Sequence, residues 1–215
     1  MDASELTTLL TPEALRLLRD LPPYENETDV LALVSRLRKD GHAPGLVATV
    51  LTQARLRKKA AAKFGPFAEE MLFTQAGLEQ ATRLEVAAQH AGRFATAGCG
   101  RIADLGCGLG ADSLALASLG LSVVAVERDE VTAALAAYNL SAFPDVTVTH
   151  GDASEADLAG IDGVFLDPAR RTAGHSNTKR QMNANDWSPS LTFALGAARS
   201  VGAGGIKLGP GTDRE

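Results

Sequence analysis

Four residues near the middle of the chain have the types and spacing of a cofactor-binding turn. Asp104 is followed by Gly106, Gly108 and Gly110 at the end of a short apolar run, in the segment IADLGCGLGAD of residues 102–112. Because glycine has no side chain, these positions allow a tight turn and a close approach of the backbone to a ligand. The segment therefore predicts a binding turn between a strand and a helix.

The charge of this turn favours one class of ligand. Its spacing also fits the dinucleotide pattern, with Gly106, Gly108 and Ala111 in the glycine positions and an acid, Glu127, about 20 residues further on. A pyrophosphate would lie close to the carboxylate of Asp104, and like charges repel in a poorly solvated crevice. S-adenosylmethionine carries a sulfonium and an ammonium and no phosphate, so the carboxylate favours this cofactor. A strand–glycine–helix turn without a ligand stays an alternative.

Further acids follow predicted strands. Glu127 ends the strand SVVAVE, where it can accept hydrogen bonds from ribose hydroxyls of either cofactor. Asp152 and Ala153 follow the next strand and are predicted beside the adenine, whose exocyclic amine can donate to the carboxylate. Asp152 is equally typical of a helix N-cap for the segment from Glu155, and both interpretations stay open.

Asp167 and Pro168 follow a fourth predicted strand and are the catalytic candidates. Methyl transfer is an in-line displacement whose sulfonium leaving group needs no protonation, so the protein mainly aligns the nucleophile and excludes water. A carboxylate fixed by an Asp-Pro turn can hold an amine in line. An ordinary turn opener at a strand end is the alternative interpretation.

The sequence around these residues alternates between predicted strands and predicted helices. The predicted strands are 102–105, 122–127, 146–149, 163–166 and about 205–208, and the predicted helices between them include 113–119 and 129–140. Such an alternation predicts an α/β fold with a Rossmann-like parallel sheet, which places the acids at one edge.

The first 65 residues are predicted to form a separate helical domain, with the catalytic domain covering residues 66–215. Thr11 and Pro12 are typical of a helix start, and Pro22-Pro23 ends that helix. Further helices are predicted over about 29–39, 44–63, 66–72 and 78–94.

Two segments are basic although the whole chain has a net charge of -5. Residues 41–68 contain five basic residues and no acid, which is typical of either a phosphate-binding stripe or a solvated helix face. Residues 168–185 also lack an acid and contain Arg170, Arg171, Lys179 and Arg180. Because this loop follows the catalytic strand, its basic residues are predicted to line the substrate mouth and favour an anionic substrate. Trp187 just after it is predicted to be a packing anchor.

Composition narrows the classes of protein. The 215 residues are 45% hydrophobic and 22% charged, and no apolar run approaches the about 18 residues that span a bilayer. The two cysteines lack zinc-ligand spacing and are predicted to be free thiols. We therefore expect a cytoplasmic protein with no membrane segment and no metal.

Five segments occur in one order: FTQAGLEQAT (73–82), DLGCGLGAD (104–112), VERD (126–129), GDA (151–153) and LDPARR (166–171). Together they resemble class I S-adenosylmethionine-dependent methyltransferases, specifically the bacterial group with a THUMP-like domain, which is related to the trimethylguanosine synthases that methylate RNA cap guanine at N2. The resemblance covers about residues 65–210. It implies an RNA substrate with a base nitrogen as acceptor, Gln80 and Thr82 over the methionine part of the cofactor, and Asp167 near the methyl group.

The chain departs from that pattern in two places. The RNA guanine-N2 enzymes follow Asp or Asn with Pro, Pro and an aromatic that stacks on the base, whereas Ala169 and Arg170 occupy the last two positions here. An arginine plane can also stack on a base or bind a phosphate. A complete sheet of this class has seven strands in the order 3-2-1-4-5-7-6, and the seven residues after Leu208 are too few for two of them. We therefore expect the last two strands and the THUMP-like domain to be missing, which leaves the fifth strand as an edge open to self-association.

The sequence thus predicts an S-adenosylmethionine-dependent methyltransferase that acts on RNA. Three alternatives stay open: a small-molecule methyltransferase, a non-catalytic RNA-binding module with the same fold, and an NAD-binding oxidoreductase.

Overall fold

The computed structural model describes residues 1–22, 27–168, 187 and 189–208. The chain divides into two compact units, Met1–Thr74 and Gln75–Glu215. These units are defined by compactness. The division into a helical domain (1–65) and a methyltransferase domain (66–215) is a separate statement about function and stays a prediction.

The first unit is helical. Its elements are α1 (Ala3–Leu9), α2 (Pro12–Asp20), α3 (Glu27–Lys39), α4 (Pro44–Phe64) and a 3₁₀ helix (Gly65–Glu69). The predicted start of α2 is confirmed, since the Thr11 side chain accepts a hydrogen bond from the backbone N–H of Ala14 at 3.2 Å. The other three helices all pack on α4, whose buried leucines and valines face them.

The helix predicted over 66–72 is wrong beyond its first turns. Only the 3₁₀ helix is present, and residues 71–73 continue as non-helical, fully buried chain. The side-chain amide of Gln53 explains this, because it donates to the carbonyl of Phe73 at 2.8 Å and accepts from its N–H at 3.0 Å. A side chain on α4 thus replaces the hydrogen bonds that a helix would supply.

The second unit alternates helices and strands. Its elements are α5 (Gln75–Gln80), α6 (Leu84–Thr96), β1 (Arg101–Leu105), α7 (Ala111–Ser118), β2 (Ser122–Glu127), α8 (Glu130–Asn139), β3 (Val146–His150), a 3₁₀ helix (Ala153–Glu155), β4 (Gly163–Leu166), α9 (Leu191–Ser200) and β5 (Ala203–Ile206). The single helix predicted over 78–94 is instead two helices, interrupted at residues 81–83. The fifth strand begins two residues earlier than predicted.

The five strands form one parallel sheet in the order β3-β2-β1-β4-β5, which confirms the predicted Rossmann-like α/β class. The chain runs outward from β1 to β3 and then returns to the other side of β1 as β4. The carboxyl ends of β1 and β4 therefore flank the topological switch point, where open α/β sheets bind ligands.

Both faces of the central strands β1 and β4 are buried, whereas the edge strand β3 is largely exposed. Along β1, Ile102 contributes to the core shared with α6 and α7, whereas Ala103 and Leu105 contribute to the core shared with α9. This alternation is the period of a strand, and burial on both sides explains why the predicted strands read as continuous apolar runs. Coverage by helices leaves the strand ends as the accessible part of these central strands.

Candidate functional site

Four strands of the sheet reach the same level at their carboxyl ends. The last row paired through β1 consists of Leu105, Val126, Leu166 and Ile206. The residues that follow these four are Gly106, Glu127, Asp167 and Lys207. Sequence analysis singled out the first three, and the structure brings them together with a lysine that it missed.

The glycine turn has the backbone that its sequence predicts. Gly106, Gly108 and Gly110 have φ angles of 95°, 57° and 88°, which side-chain-bearing residues rarely adopt. A Cβ added to Gly110 would also lie 2.9 Å from Cδ1 of Leu140. The last glycine is therefore required both by its conformation and by the packing of the residue that ends α8.

Most of the N–H groups of the turn already have partners. The N–H groups of Gly106 and Cys107 donate to the carbonyl of Val126 at 2.8 Å and 3.0 Å, and that of Gly110 donates to the carbonyl of Cys107 at 2.9 Å. The N–H of Gly108 donates to Oε2 of Glu127 at 3.0 Å. These four donors point at the protein's own acceptors.

Both carboxylate oxygens of Glu127 accept backbone hydrogen bonds. Besides the bond from Gly108, Oε1 accepts from the N–H of Asp129 at 2.8 Å. Asp129 is in turn the N-cap of α8 and accepts from the N–H of Thr132 at 2.9 Å. Glu127 is half-buried at the end of β2, and each of its oxygens keeps a second lone pair for a ligand hydroxyl.

Asp104 is buried beneath the turn. Only 1% of the residue is exposed, and Oδ2 accepts a hydrogen bond of 2.6 Å from the hydroxyl of Ser113 on α7. Burial and the nearby carboxylate of Asp112 raise the pKa of Asp104 to about 8. The side chain therefore carries a proton at neutral pH.

Asp167 forms an ion pair with Lys207 at the ends of β4 and β5. The lysine Nζ donates to Oδ2 of Asp167 and to the hydroxyl of Thr82, the latter at 3.0 Å. Burial raises the pKa of Asp167, while Lys207 opposes that shift. Pro168 follows and is buried.

A histidine and an acid that sequence analysis also missed lie behind this pair. Nδ1 of His90 on α6 lies 2.8 Å from Oδ1 of Asp112 on α7, and the imidazole packs on the ring of Phe165 with centroids 5.0 Å apart. Asp112 directly follows the glycine turn, so an acid in the first turn of a helix was its available signal. Lys207 directly follows a predicted apolar strand, as the candidate acids do. Only acids in that position were considered as site residues, so a cation there was missed.

The other predicted cofactor residues lie at three places. Asp152 caps the 3₁₀ helix, because Oδ1 accepts from the N–H of Ser154 at 2.8 Å and from its hydroxyl at 2.6 Å. These bonds lower the pKa of Asp152, which caps this 3₁₀ helix rather than a helix from Glu155, and its contact with adenine stays a prediction. Ala153 is buried beside it, Gln80 is exposed at the end of α5, and Thr82 is buried against Lys207.

The predicted substrate residues Arg170, Arg171, Lys179 and Arg180 lie outside the described residues. Trp187 is described and is 7% exposed, in agreement with a packing role. Cys99 and Cys107 are free and buried. Over the described ranges, the structure contains no cluster of three His, Cys, Asp or Glu side chains suited to a metal ion. No helix in the same ranges has the length and apolar character that crossing a bilayer requires.

Comparison with known proteins gives one family match, near the start of the chain, and matches to solved structures. Residues 2–60 match a family described as a domain of unknown function (DUF8688). No curated protein matches the chain by sequence. Among solved structures, a candidate methyltransferase from Porphyromonas gingivalis W83 is similar with a TM-score of 0.56 and 23% identity, over 80% of this chain and 42% of that one. The chain thus spans about two fifths of the length of that protein.

Two other solved structures are less similar. A candidate RNA methyltransferase from Pyrococcus horikoshii is 27% identical with a TM-score of 0.42, over 55% of this chain and 60% of that chain. The glycopeptide N-methyltransferase MtfA, solved in complex with S-adenosylmethionine, is 24% identical with a TM-score of 0.33, over 38% and 40%. Such TM-scores do not establish a shared fold, so the fold assignment rests on the first structure. The parallel sheet and that likeness together show that this chain has a Rossmann-like α/β fold, which it shares with that candidate methyltransferase.

Proposed function

We propose that this chain is an S-adenosylmethionine-dependent methyltransferase that transfers a methyl group to a base nitrogen of RNA. The observation that carries the choice of cofactor is the hydrogen bonding of the glycine turn. A turn that binds pyrophosphate directs backbone N–H groups at the phosphates. Here the N–H of Gly108 donates to a carboxylate, and those of Gly106, Cys107 and Gly110 donate to backbone carbonyls.

The charges around the turn support the same choice. Asp112, Glu127 and Asp167 all lie close enough to Asp104 at this edge of the sheet to raise its pKa. Asp112 also lies in the first turn of α7, where it already occupies the position that favours an anion. A dianionic pyrophosphate would be repelled by this set, whereas a sulfonium and an ammonium would be attracted.

Each cofactor residue then has a role that its position allows. Glu127 accepts from the ribose hydroxyls with its remaining lone pairs, and Asp152 and Ala153 lie at the end of the neighbouring strand, where adenine binds in such sheets. Gln80, Thr82 and Asp104 form the methionine end. The bound cofactor supplies an electrophilic methyl group on sulfur, so the protein needs neither a metal nor a general acid for the leaving group.

The choice of acceptor rests on Asp167 and on the basic residues that follow it in sequence. The carboxylate can accept an N–H of the target base and align the nitrogen lone pair, while Pro168 restricts the backbone there. Arg170, Arg171, Lys179 and Arg180 are proposed to contact RNA phosphates or stack on a base. The finer assignment, to the bacterial group with a THUMP-like domain, rests on the LEQAT and DPARR segments.

Calorimetry of cofactor binding tests the first half of the proposal. We expect binding of S-adenosylmethionine and S-adenosylhomocysteine and no binding of NAD. Glu127→Gln should weaken binding of S-adenosylmethionine by about tenfold or more, since an amide replaces an acceptor that holds both the turn and the ribose. Glu130→Gln, the same change at an exposed residue three positions later, should leave it unchanged. Tighter binding of NAD would overturn the assignment.

Transfer of a tritiated methyl group into fractionated cellular RNA tests the second half. We expect label in RNA, lost in Asp167→Asn and kept in Asp157→Asn, a matched change at an exposed residue. Label in small molecules alone would favour the small-molecule enzyme. RNA binding that survives Asp167→Asn, with no transfer by the unmodified chain, would favour the non-catalytic module.

A further inference from the structure

Lys207 joins three separate segments of the second unit. Its Nζ donates to Thr82, in the link between α5 and α6, and to Asp167, at the end of β4. Its backbone N–H donates to the carbonyl of Leu166 at 2.9 Å, which extends the pairing of β5 with β4 by one residue. The lysine is therefore held both by its backbone, next to Asp167 in the sheet, and by its ammonium group, which contacts the Asp167 carboxylate.

The charge of Asp167 depends on its contact with the ammonium group of Lys207, because its burial opposes ionisation. Among the described residues, three groups besides Lys207 interact electrostatically with it: Asp112 on α7, His90 on α6 and Asp104 on β1. Its partial burial and, to a smaller extent, Asp112 favour the protonated form of Asp167, whereas Lys207 and a charged His90 favour the carboxylate. Lys207 is the one of these groups in direct contact with it.

We propose that Lys207 is a positioning residue for the acceptor: it keeps Asp167 as a carboxylate with Oδ2 engaged, so that Oδ1 receives the N–H of the acceptor. This rests on the proposed function, which makes Asp167 the acceptor-binding group. Thr82 assists by fixing the ammonium group between two oxygens. A protonated Asp167 would instead offer an O–H to the nitrogen lone pair that must remain available for methylation.

The cofactor is the alternative partner of Lys207. Its carboxylate could replace Asp167 as the acceptor of the hydrogen bond from the lysine ammonium group. The two cases differ in what removal of the lysine changes. Loss of a positioning lysine changes the titration of Asp167 in the ligand-free chain, whereas loss of a cofactor-binding lysine changes cofactor affinity. Measuring both the titration of Asp167 and the affinity for the cofactor therefore separates the two cases.

The test is a pH titration of the Asp167 side-chain carboxyl carbon by ¹³C NMR in the ligand-free chain, with the signal assigned through Asp167→Asn. We expect Lys207→Met and Lys207→Gln to raise the pKa of Asp167 by about one unit or more, because a cation in direct contact shifts a carboxyl pKa by about 1–3 units. Lys207→Arg should restore most of the original titration. Thr82→Val should change it less than either neutral variant, since the charge remains.

Calorimetry of the same variants completes the experiment. We expect S-adenosylmethionine affinity within about threefold of the unmodified chain in both neutral variants. The titration is interpreted in whichever neutral variant, Lys207→Met or Lys207→Gln, keeps a cooperative unfolding transition. If the pKa of Asp167 is unchanged in that variant, the proposal is wrong. If that variant has also lost most of its affinity for the cofactor, Lys207 belongs to the cofactor site. Failure of the unmodified chain to bind S-adenosylmethionine contradicts the proposed function instead, and leaves the titration result intact.

Discussion

The hydroxyl of Ser113 donates a 2.6 Å hydrogen bond to Oδ2 of Asp104, the acid that precedes the glycine turn. This bond favours the carboxylate, but burial and the neighbouring acids outweigh it, and the pKa of Asp104 rises to about 8. The acid that we propose beside the cationic end of the cofactor is thus neutral in the ligand-free site at pH 7. Two predictions rest on this proton.

The first concerns stability against pH. Folded Asp104 titrates near pH 8 and the unfolded side chain near its ordinary value of 3.8, so between these values the folded chain holds a proton that the unfolded chain has released. The contribution of Asp104 to the free energy of unfolding is therefore fully present below about pH 4 and is lost as the pH rises through 8. Urea unfolding at several pH values should show a smaller decline in Asp104→Asn than in the unmodified chain. Parallel curves would contradict the burial of this proton.

The second concerns cofactor binding. If the cationic end of S-adenosylmethionine approaches Asp104, binding must release its proton below pH 8, and affinity should rise with pH by up to about tenfold per unit between pH 6 and 8. Calorimetry in buffers of different ionisation enthalpy measures the released proton directly. Asp104→Asn serves as the control, because titration of the cofactor itself is common to both chains. Equal proton release in the two would remove Asp104 from the cofactor site.

The third prediction separates conformation from packing at the glycine turn. Gly110 and Gly120 both have positive φ angles, 88° and 78°, but only at Gly110 would a Cβ contact a neighbour, Leu140. Gly120→Ala should therefore cost about 1–2 kcal/mol of conformational strain alone. Gly110→Ala should cost about 1–3 kcal/mol more, since the side chain of Leu140 must also move. Equal losses in chemical denaturation would show that Leu140 yields without cost.

The fourth prediction concerns the first unit. Gln53 has no exposed surface and satisfies both the N–H and the carbonyl of Phe73. Gln53→Met keeps the length of the side chain but leaves both backbone groups unpaired, which should cost about 2–4 kcal/mol in the free energy of unfolding. Gln75→Met, at an exposed position, should change it by less than about 0.5 kcal/mol. A small effect of Gln53→Met would mean that water reaches Phe73.

The parts of this structure that could be predicted are those encoded by neighbouring residues. Asp104, Glu127 and Asp167 each stand at or directly after an apolar run, so their place at strand ends follows from local pattern and the geometry of a parallel sheet. The strand order is implied by the family resemblance alone, because β3 and β4 follow one another in the chain but lie on opposite sides of β1.

The parts that could not be predicted depend on partners far apart in the chain. Thr82 lies in the break between α5 and α6, where one helix was predicted over 78–94, and its partner Lys207 is 125 residues away in sequence. Gln53 and Phe73 are 20 residues apart, and their pairing replaces the helix suggested over 66–72. In both places a polar side chain satisfies distant groups, for which local periodicity has no signal.

The common level at which β1, β2, β4 and β5 end has a consequence for how this protein can vary. Successive residues of a strand face opposite sides of the sheet, so one residue inserted within β4 would exchange its two faces and carry Asp167 past Lys207. The loops that join the strands at their other ends carry no such constraint. Natural variation in length should therefore accumulate in those loops, while the number of residues in each strand stays fixed even where every side chain in it is replaced.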